Sequence, residues 1–248
     1  MKSRLLNIDI DLFDDEKEVL ALLSKDIDSG RSIELFFLNA HCFNLAQKDR
    51  EYFDILNSCD YLLNDGIGIK IASKIEKLVL KKNLNGTDFI PEIAEMAAKK
   101  GYKIFLLGAK DGIAEEAAVK LKEKFEGLQI AGVHSGYGLD DSVLELINNS
   151  KADILIAGMG VPMQEKWIRE NKSKLGSVKL FVGGGAILDF LSQRIRRAPL
   201  LMRKIGLEWL FRLCLEPGRL WRRYLVGNFL FFYYILVLKL GFKTWSMR

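Results

Sequence analysis

Five short apolar runs in this chain end on residues able to do chemistry. Glu34–Leu38 runs into Asn39, Tyr61–Leu63 into Asn64-Asp65-Gly66, and Lys103–Leu107 into Gly108. Asp153–Ala157 runs into Gly158-Met159-Gly160, and Lys179–Val182 into Gly183-Gly184-Gly185. A carboxyl group at Asp65, followed by a glycine that lets backbone approach, can move a proton. The amide of Asn39 can hydrogen-bond a ligand, and glycine turns leave backbone N–H groups and helix N-termini open to anions. Gln164 and Glu165 open a helical stretch after Gly158–Pro162, where an amide can read a base or ribose. Plainer readings stand beside these. Asp-Gly is a common helix cap, an acid suits a first helical turn, and strand–helix turns use glycine for geometry alone.

Metal chemistry has weak support. Asp9/Asp11 and Asp26/Asp28 match D-x-D literally, but the first pair precedes the first good strand–helix unit and the second ends a helical stretch before Ser29-Gly30. His41 and His134, the only histidines, share no ligand spacing, and Cys42 beside Phe43 reads as core packing. No metal is expected.

The elements that must carry these residues alternate. Helical patterns over Ala40–Asn57, Thr87–Lys100, Ile113–Phe125 and Met163–Lys174 separate the apolar runs. Short strands between such helices predict an α/β fold: a Rossmann-like parallel sheet with helices on both faces. Its candidate residues then lie at the carboxyl edge of the sheet, where ligands of open α/β folds bind.

The chain has 248 residues, is 49% hydrophobic and 28% charged, and carries a formal charge of +5. That excludes a disordered or fibrous protein. Cys42, Cys59 and Cys214 form neither a disulfide framework nor a zinc motif. The N-terminus turns acidic before any apolar run long enough for a signal peptide, so a cytoplasmic catalytic part is expected. The charge is one-sided: residues 194–248 carry 12 Lys/Arg against Glu208 and Glu216, which leaves 25 basic and 30 acidic residues in 1–193. We therefore divide the chain into a core, 1–193, and a basic C-terminal appendage, 194–248, which is expected to meet an anionic partner. The apolar run Leu225–Leu238 is shorter than the roughly 20 residues that span a bilayer. Arg222, Arg223, Lys239 and Lys243 flank it, and Trp221, Tyr224, Tyr233, Tyr234 and Trp245 supply aromatics. This suits a helix lying in a membrane interface; a helix docked on the core is the alternative.

Four segments together resemble the WecG/TagA/CpsF glycosyltransferases: FFLNAHCFNLA (36–46), YLLNDGIG (61–68), GMGVPMQEKW (158–167) and RRAPLLMRKIGLEWLFRLCLEPGRLWRRY (196–224). Gly86-Thr87-Asp88 and VGGGAILDF (182–190) add weaker support. The resemblance implies inverting transfer of a sugar of ManNAc, ManNAcA or hexose type. The donor would be a UDP-sugar and the acceptor a polyprenyl-diphosphate-linked sugar, in bacterial surface polysaccharide or teichoic acid synthesis. It implies a peripheral enzyme on the cytoplasmic face of the plasma membrane, whose appendage serves both attachment and catalysis.

Carried onto this chain, the resemblance makes Asp65 the base, with Asn39 beside it. Gly66, Thr87, Asp88, Gly108, Gly160, Gln164, Glu165 and Asp189 become candidates for substrate contact. Arg212, Arg219 and Arg222 become the cations that stabilise the departing diphosphate without a metal; binding lipid headgroups is their plainer role. Two positions depart from the family pattern: Phe37 stands where Thr is usual and Asn83 where Arg is usual, which leaves the donor sugar open. A homo-oligomer is compatible with all of this. The rival enzyme class, an NAD-linked or epimerase-type Rossmann protein, lacks a full G-x-G-x-x-G. A non-enzymatic membrane or nucleic-acid binder is the other rival. Tryptophans and aliphatic runs among the arginines suit lipid better than a phosphate backbone, and no nucleic-acid partner is expected.

Overall fold

The computed structural model describes residues 2–242 and 244, so Lys243 and Trp245 lie outside the described residues. The chain opens with an antiparallel hairpin, β1 (Lys2–Leu5) and β2 (Ile8–Asp11), followed by α1 (Glu16–Asp28). The core then runs β3 (Ile33–Leu38), α2 (Ala40–Ala46), α3 (Arg50–Ser58), β4 (Tyr61–Asn64), α4 (Gly66–Ile75), α5 (Gly86–Lys100), β5 (Lys103–Gly108) and α6 (Ile113–Lys124). It continues with β6 (Gln129–His134), α7 (Asp141–Ser150), β7 (Ile154–Gly158), α8 (Met163–Asn171), β8 (Leu180–Gly183) and α9 (Ile187–Leu191). The appendage is helical: α10 (Leu200–Lys204), α11 (Glu208–Leu215), α12 (Pro217–Trp221), a π-helical turn Arg222–Val226, and α13 (Gly227–Lys239).

Six strands pair in parallel in the order β4-β3-β8-β7-β5-β6. Both faces are apolar because alternate side chains of each strand point to opposite sides. Phe36, Leu38, Phe105, Leu107 and Phe181 join one buried cluster, and Leu35, Phe37, Ile104, Leu106 and Val182 the other. The Rossmann-like expectation holds.

Three details differ from the sequence reading. The single helix expected over Ala40–Asn57 is two, because Asp49 accepts the Tyr52 N–H and starts a new helix. The buried Gln47 just before the break is held by Asn7 of the hairpin. The β1/β2 hairpin and edge strand β6 were not among the expected strands. Both literal D-x-D pairs are structural. Asp9 pairs with Arg4, and Asp11 accepts the Leu62 N–H at 2.9 Å, fastening the hairpin to edge strand β4. Asp26 holds Arg31 and the Tyr61 hydroxyl, and Asp28 accepts from the Tyr102 hydroxyl.

The appendage is folded onto the core. Arg194 pairs with Glu116 of α6, while Arg197 bridges Asp88 of α5 and Glu208 of α11. Helix α13 lies across α2 and α4. Asn44 donates to the Gly227 carbonyl at 2.7 Å, Phe231 packs edge-on against Phe43 with centroids 5.3 Å apart, and the same ring covers Gly68. The 225–238 run is thus docked on the core by one face, and its other face stays exposed. Phe231, Tyr234 and Ile235 are buried, whereas Phe229, Phe232, Tyr233 and Leu236 are exposed. Leu200, Leu201 and Ile205 of the α10 region add further exposed apolar surface. Among the described residues no helix is long and apolar enough to cross a membrane.

Candidate active site

A cleft of about 1030 Å³ opens at the carboxyl edge of the sheet, walled on one side by the core and on the other by the appendage. Strands β3 and β4 pair with Leu38 opposite Asn64, so the next residues, Asn39 and Asp65, emerge side by side. Asn39 caps α2: its Oδ1 accepts from the N–H groups of His41 and Cys42, both at 3.0 Å. With the oxygen engaged, the amide nitrogen is turned outward and donates to Asp65 Oδ2 at 3.3 Å. The sequence reading gave Asn39 a ligand contact; the structure makes it the residue that orients Asp65.

Asp65 begins α4 but makes no side-chain cap. The carboxylate is therefore not committed to the plainer role of helix cap, and the N–H of Gly66 is taken by Asn83 Oδ1 at 2.9 Å. Gly66 has φ +86°, and that left-handed turn at the strand end is the reason a glycine follows the aspartate. Asp65 keeps some access to solvent through the cleft, yet protein packs densely round its carboxyl group. Burial pushes its pKa above the usual carboxylate range, against the opposing pull of the Asn39 hydrogen bond and the Arg223 and Arg212 charges; Glu208 adds to the upward push.

Two glycine turns close the far wall, joined by one side chain. Gln164 Oε1 accepts from the N–H groups of Gly160 (3.3 Å) and Gly185 (2.9 Å), tying the β7–α8 turn to the β8–α9 turn. Its Nε2 donates to Glu165 Oε1 at 3.0 Å, which sets the amide's orientation. Glu165 is 1% exposed, and its second oxygen has no partner. Burial raises its pKa to about 7, with the Gln164 hydrogen bond pulling the other way. Helix α8 is anchored at its other end by Arg169, which grips the buried Glu34 of β3 at 3.0 and 2.6 Å.

The appendage supplies Arg194, Arg196, Arg212, Arg219 and Arg223 to the cleft. Arg212 stacks on Phe190 at 5.0 Å from the ring centroid. Arg219 pairs with Glu216 and bears on Asp189, whose pKa is raised by burial and lowered in turn by that arginine. The Nε atoms of Arg212 and Arg223 are buried without a partner.

Of the sequence candidates, Asn39, Asp65, Thr87, Gly160, Gln164, Asp189, Arg212 and Arg219 line this one cleft. Five do not. Gly66 and Glu165 sit behind Asp65 and Gln164. Gly108 is there for fit: a Cβ on it would lie 2.5 Å from the backbone of Gly158. Asp88 is occupied by Arg197 and Arg203, and these cations together with Asn85 outweigh burial and hold its pKa low. Arg222 is exposed and stacks on Trp221, while its neighbour Arg223 faces the cleft. Arg223, Phe190 and the Lys110 and Tyr137 positions were missed. Arg223 and Phe190 had a signal, since they fall within the quoted RRY and VGGGAILDF segments. Phe37, one of the two departures from the family pattern, lines the cleft with its ring against Gly86.

Residues 3–244 match the family model described as Glycosyl transferase WecG/TagA/CpsF family. This chain belongs to that family. It is a glycosyltransferase. It is 36% identical over 181 residues to the N-acetylglucosaminyldiphosphoundecaprenol N-acetyl-beta-D-mannosaminyltransferase of Bacillus subtilis (strain 168), covering 73% of this chain and 70% of that one. It is 29% identical over 195 residues to the protein of the same description from Staphylococcus aureus (strain MRSA252), covering 78% and 76%. For a WecG/TagA/CpsF glycosyltransferase, a carboxylate oriented by an amide and overhung by arginines is an arrangement suited to transfer between a hydroxyl and a charged leaving group.

Proposed function

We propose that this chain transfers a sugar of N-acetylmannosamine type, with inversion, from a UDP-sugar to a polyprenyl-diphosphate-linked acceptor, at a membrane surface. The pathway would be bacterial surface polysaccharide or teichoic acid synthesis, on the cytoplasmic face. The observation that carries this reading is the Asn39–Asp65 pair facing arginines across a single cleft. Asp65 takes the proton of the acceptor hydroxyl as that oxygen bonds to the anomeric carbon. The bond from carbon to the leaving phosphate oxygen breaks on the opposite side, its electrons leaving with UDP. Arg212 and Arg219 neutralise that charge, bidentate pairing with phosphate oxygens being the guanidinium's strength. No metal is needed in this scheme, and both D-x-D pairs are engaged in fastening the fold. In this scheme the uracil and ribose go to the end of the cleft beside Asp189, and Gln164, with its amide engaged by Gly160, Gly185 and Glu165, shapes the glycine-turn wall there.

The membrane assignment is supported by the exposed apolar face of α13 and the α10 side chains beside a basic surface. The relatives' names support a lipid-linked GlcNAc acceptor and a ManNAc donor group. The test is transfer by the purified full chain, with a panel of UDP-sugars and a polyprenyl-diphosphate-GlcNAc acceptor, read as UDP release and product mass. UDP-ManNAc is expected to be the best donor. Release of UDP without a glycosylated acceptor, or transfer only from a non-UDP donor, would overturn the assignment.

A further inference from the structure

The appendage places two adjacent arginines on opposite sides of one turn. Arg222 points to the surface and stacks on Trp221 with 5.2 Å to the ring centroid. Arg223 lines the cleft, with its guanidinium carbon 5.8 Å from the Tyr224 ring centroid and its Nε buried without a partner. Tyr224 is braced in turn against Trp209 of α11, with ring centroids 5.9 Å apart. The turn that carries Arg223 runs straight into α13, which is pinned to α2 and α4 by Asn44 and Phe231. Those are the two helices that begin at Asn39 and Asp65. Arg223 is therefore fixed relative to Asp65 by three packed helices. Among the described residues neither Arg223 nor Arg212 has a carboxylate within ion-pair distance, so no other carboxylate neutralises the Arg223 charge and it acts on Asp65 across the cleft.

We propose that Arg223 is the positioning residue of the base: its guanidinium keeps Asp65 in the charged, proton-accepting form, while Arg212 and Arg219 serve the leaving group. The distribution of charge along the cleft supports this division. Arg223 is the foremost charge bearing on Asp65, with Arg212 lowering and Glu208 raising its pKa more weakly. Arg219, Glu216 and Arg194 bear on Asp189 at the other end. His41 on α2 also faces Arg223, and burial together with that arginine lowers its pKa to about 4, so it stays neutral and adds no competing cation. A densely surrounded carboxylate that must accept a proton needs such a partner, since burial alone favours the protonated acid.

The inference rests on Asp65 being the base, and its test reads Asp65 without turnover. The full chain is labelled with carboxyl-13C aspartate, and the Asp65 resonance is assigned by its loss in Asp65→Asn. Its titration midpoint is expected to rise by about one pH unit or more in Arg223→Gln. It should rise similarly in Arg223→Met, which keeps the apolar stem and guards against a folding failure, and less in Arg223→Lys, which keeps the charge. Arg222→Gln should leave the midpoint in place. The acid limb of the pH–rate profile should move with the midpoint. An unmoved Asp65 midpoint in the folded neutral variants, or an equal shift in Arg222→Gln, overturns the proposal. A shifted midpoint with an unmoved acid limb would instead tell against Asp65 as the base.

Discussion

Replacing Glu165 by Gln isolates one buried charge and gives a signed, pH-dependent stability change. The carboxyl group is 1% exposed, accepts one hydrogen bond from Gln164, and has a second oxygen without a partner. Its pKa rises from the ordinary 4.5 to about 7 on folding. Because the folded-state value is the higher one, folding is favoured while the group is protonated in both states, below about pH 4.5. That advantage is lost as pH rises through about 7, where the unfolded chain ionises freely and the folded chain must carry a buried charge. A rise of that size corresponds to about 3 kcal/mol. The amide introduced by Glu165→Gln would keep the hydrogen bond with Gln164 but would not titrate. The difference in unfolding free energy between Glu165→Gln and the parent should therefore grow by about 3 kcal/mol between pH 5 and pH 8. In a chain of this length that is a relative gain in Tm of about 6–12 °C. Thermal melts of both proteins at matched pH measure it, with the other carboxylates cancelling in the difference. A difference that stays flat from pH 5 to pH 8 would refute the buried-charge argument. A difference that grows in the opposite direction would do so more strongly.

Asp65→Asn should cut transfer by at least about 100-fold while nucleotide binding persists, and it should not lower Tm at neutral pH, since it removes a charge that burial disfavours; near-normal turnover sinks the base assignment. Activity should survive excess EDTA, and loss restored by manganese would overturn the metal-free reading. Arg197→Gln should cost about 1–2 kcal/mol of stability and slow transfer, because Arg197 ties α11 to Asp88; adding Asp88→Asn should cost little more, whereas fully additive losses would show that the two do not act as a clamp. Changing Phe229, Phe232 and Leu236 together to Ser should weaken flotation with anionic vesicles by about tenfold or more, and unchanged flotation would place the membrane contact elsewhere.

The sheet and its catalytic edge were legible because apolar runs of strand length, each ending on glycine or a small polar residue, leave few alternatives in an α/β fold. Asn39, Asp65 and Gln164 stood out for that reason. Their hydrogen-bond roles did not. That Asn39 turns its nitrogen to Asp65, or that Asn83 satisfies Gly66, depends on side chains distant in sequence. The broken helix at Gln47–Asp49 is another long-range effect, since Gln47 faces Asn7 forty residues away.

The arginines show where sequence spacing stops deciding. From Arg219, a regular α-helix turns about 100° per residue, so Arg222 lies about 60° to one side of it and Arg223 about 40° to the other. Either could share its face, and the RRY element offers both. The choice is made by the π-helical turn over Arg222–Val226, which resets the phase between α12 and α13. That turn is set in turn by where α13 must lie to bury Phe231, Tyr234 and Ile235 on the core. The face of α13 that anchors the appendage therefore also determines which guanidinium reaches the cleft. It follows that loosening α13, for example by Phe231→Ala, should let Arg223 shift relative to Asp65 and weaken its charge effect there.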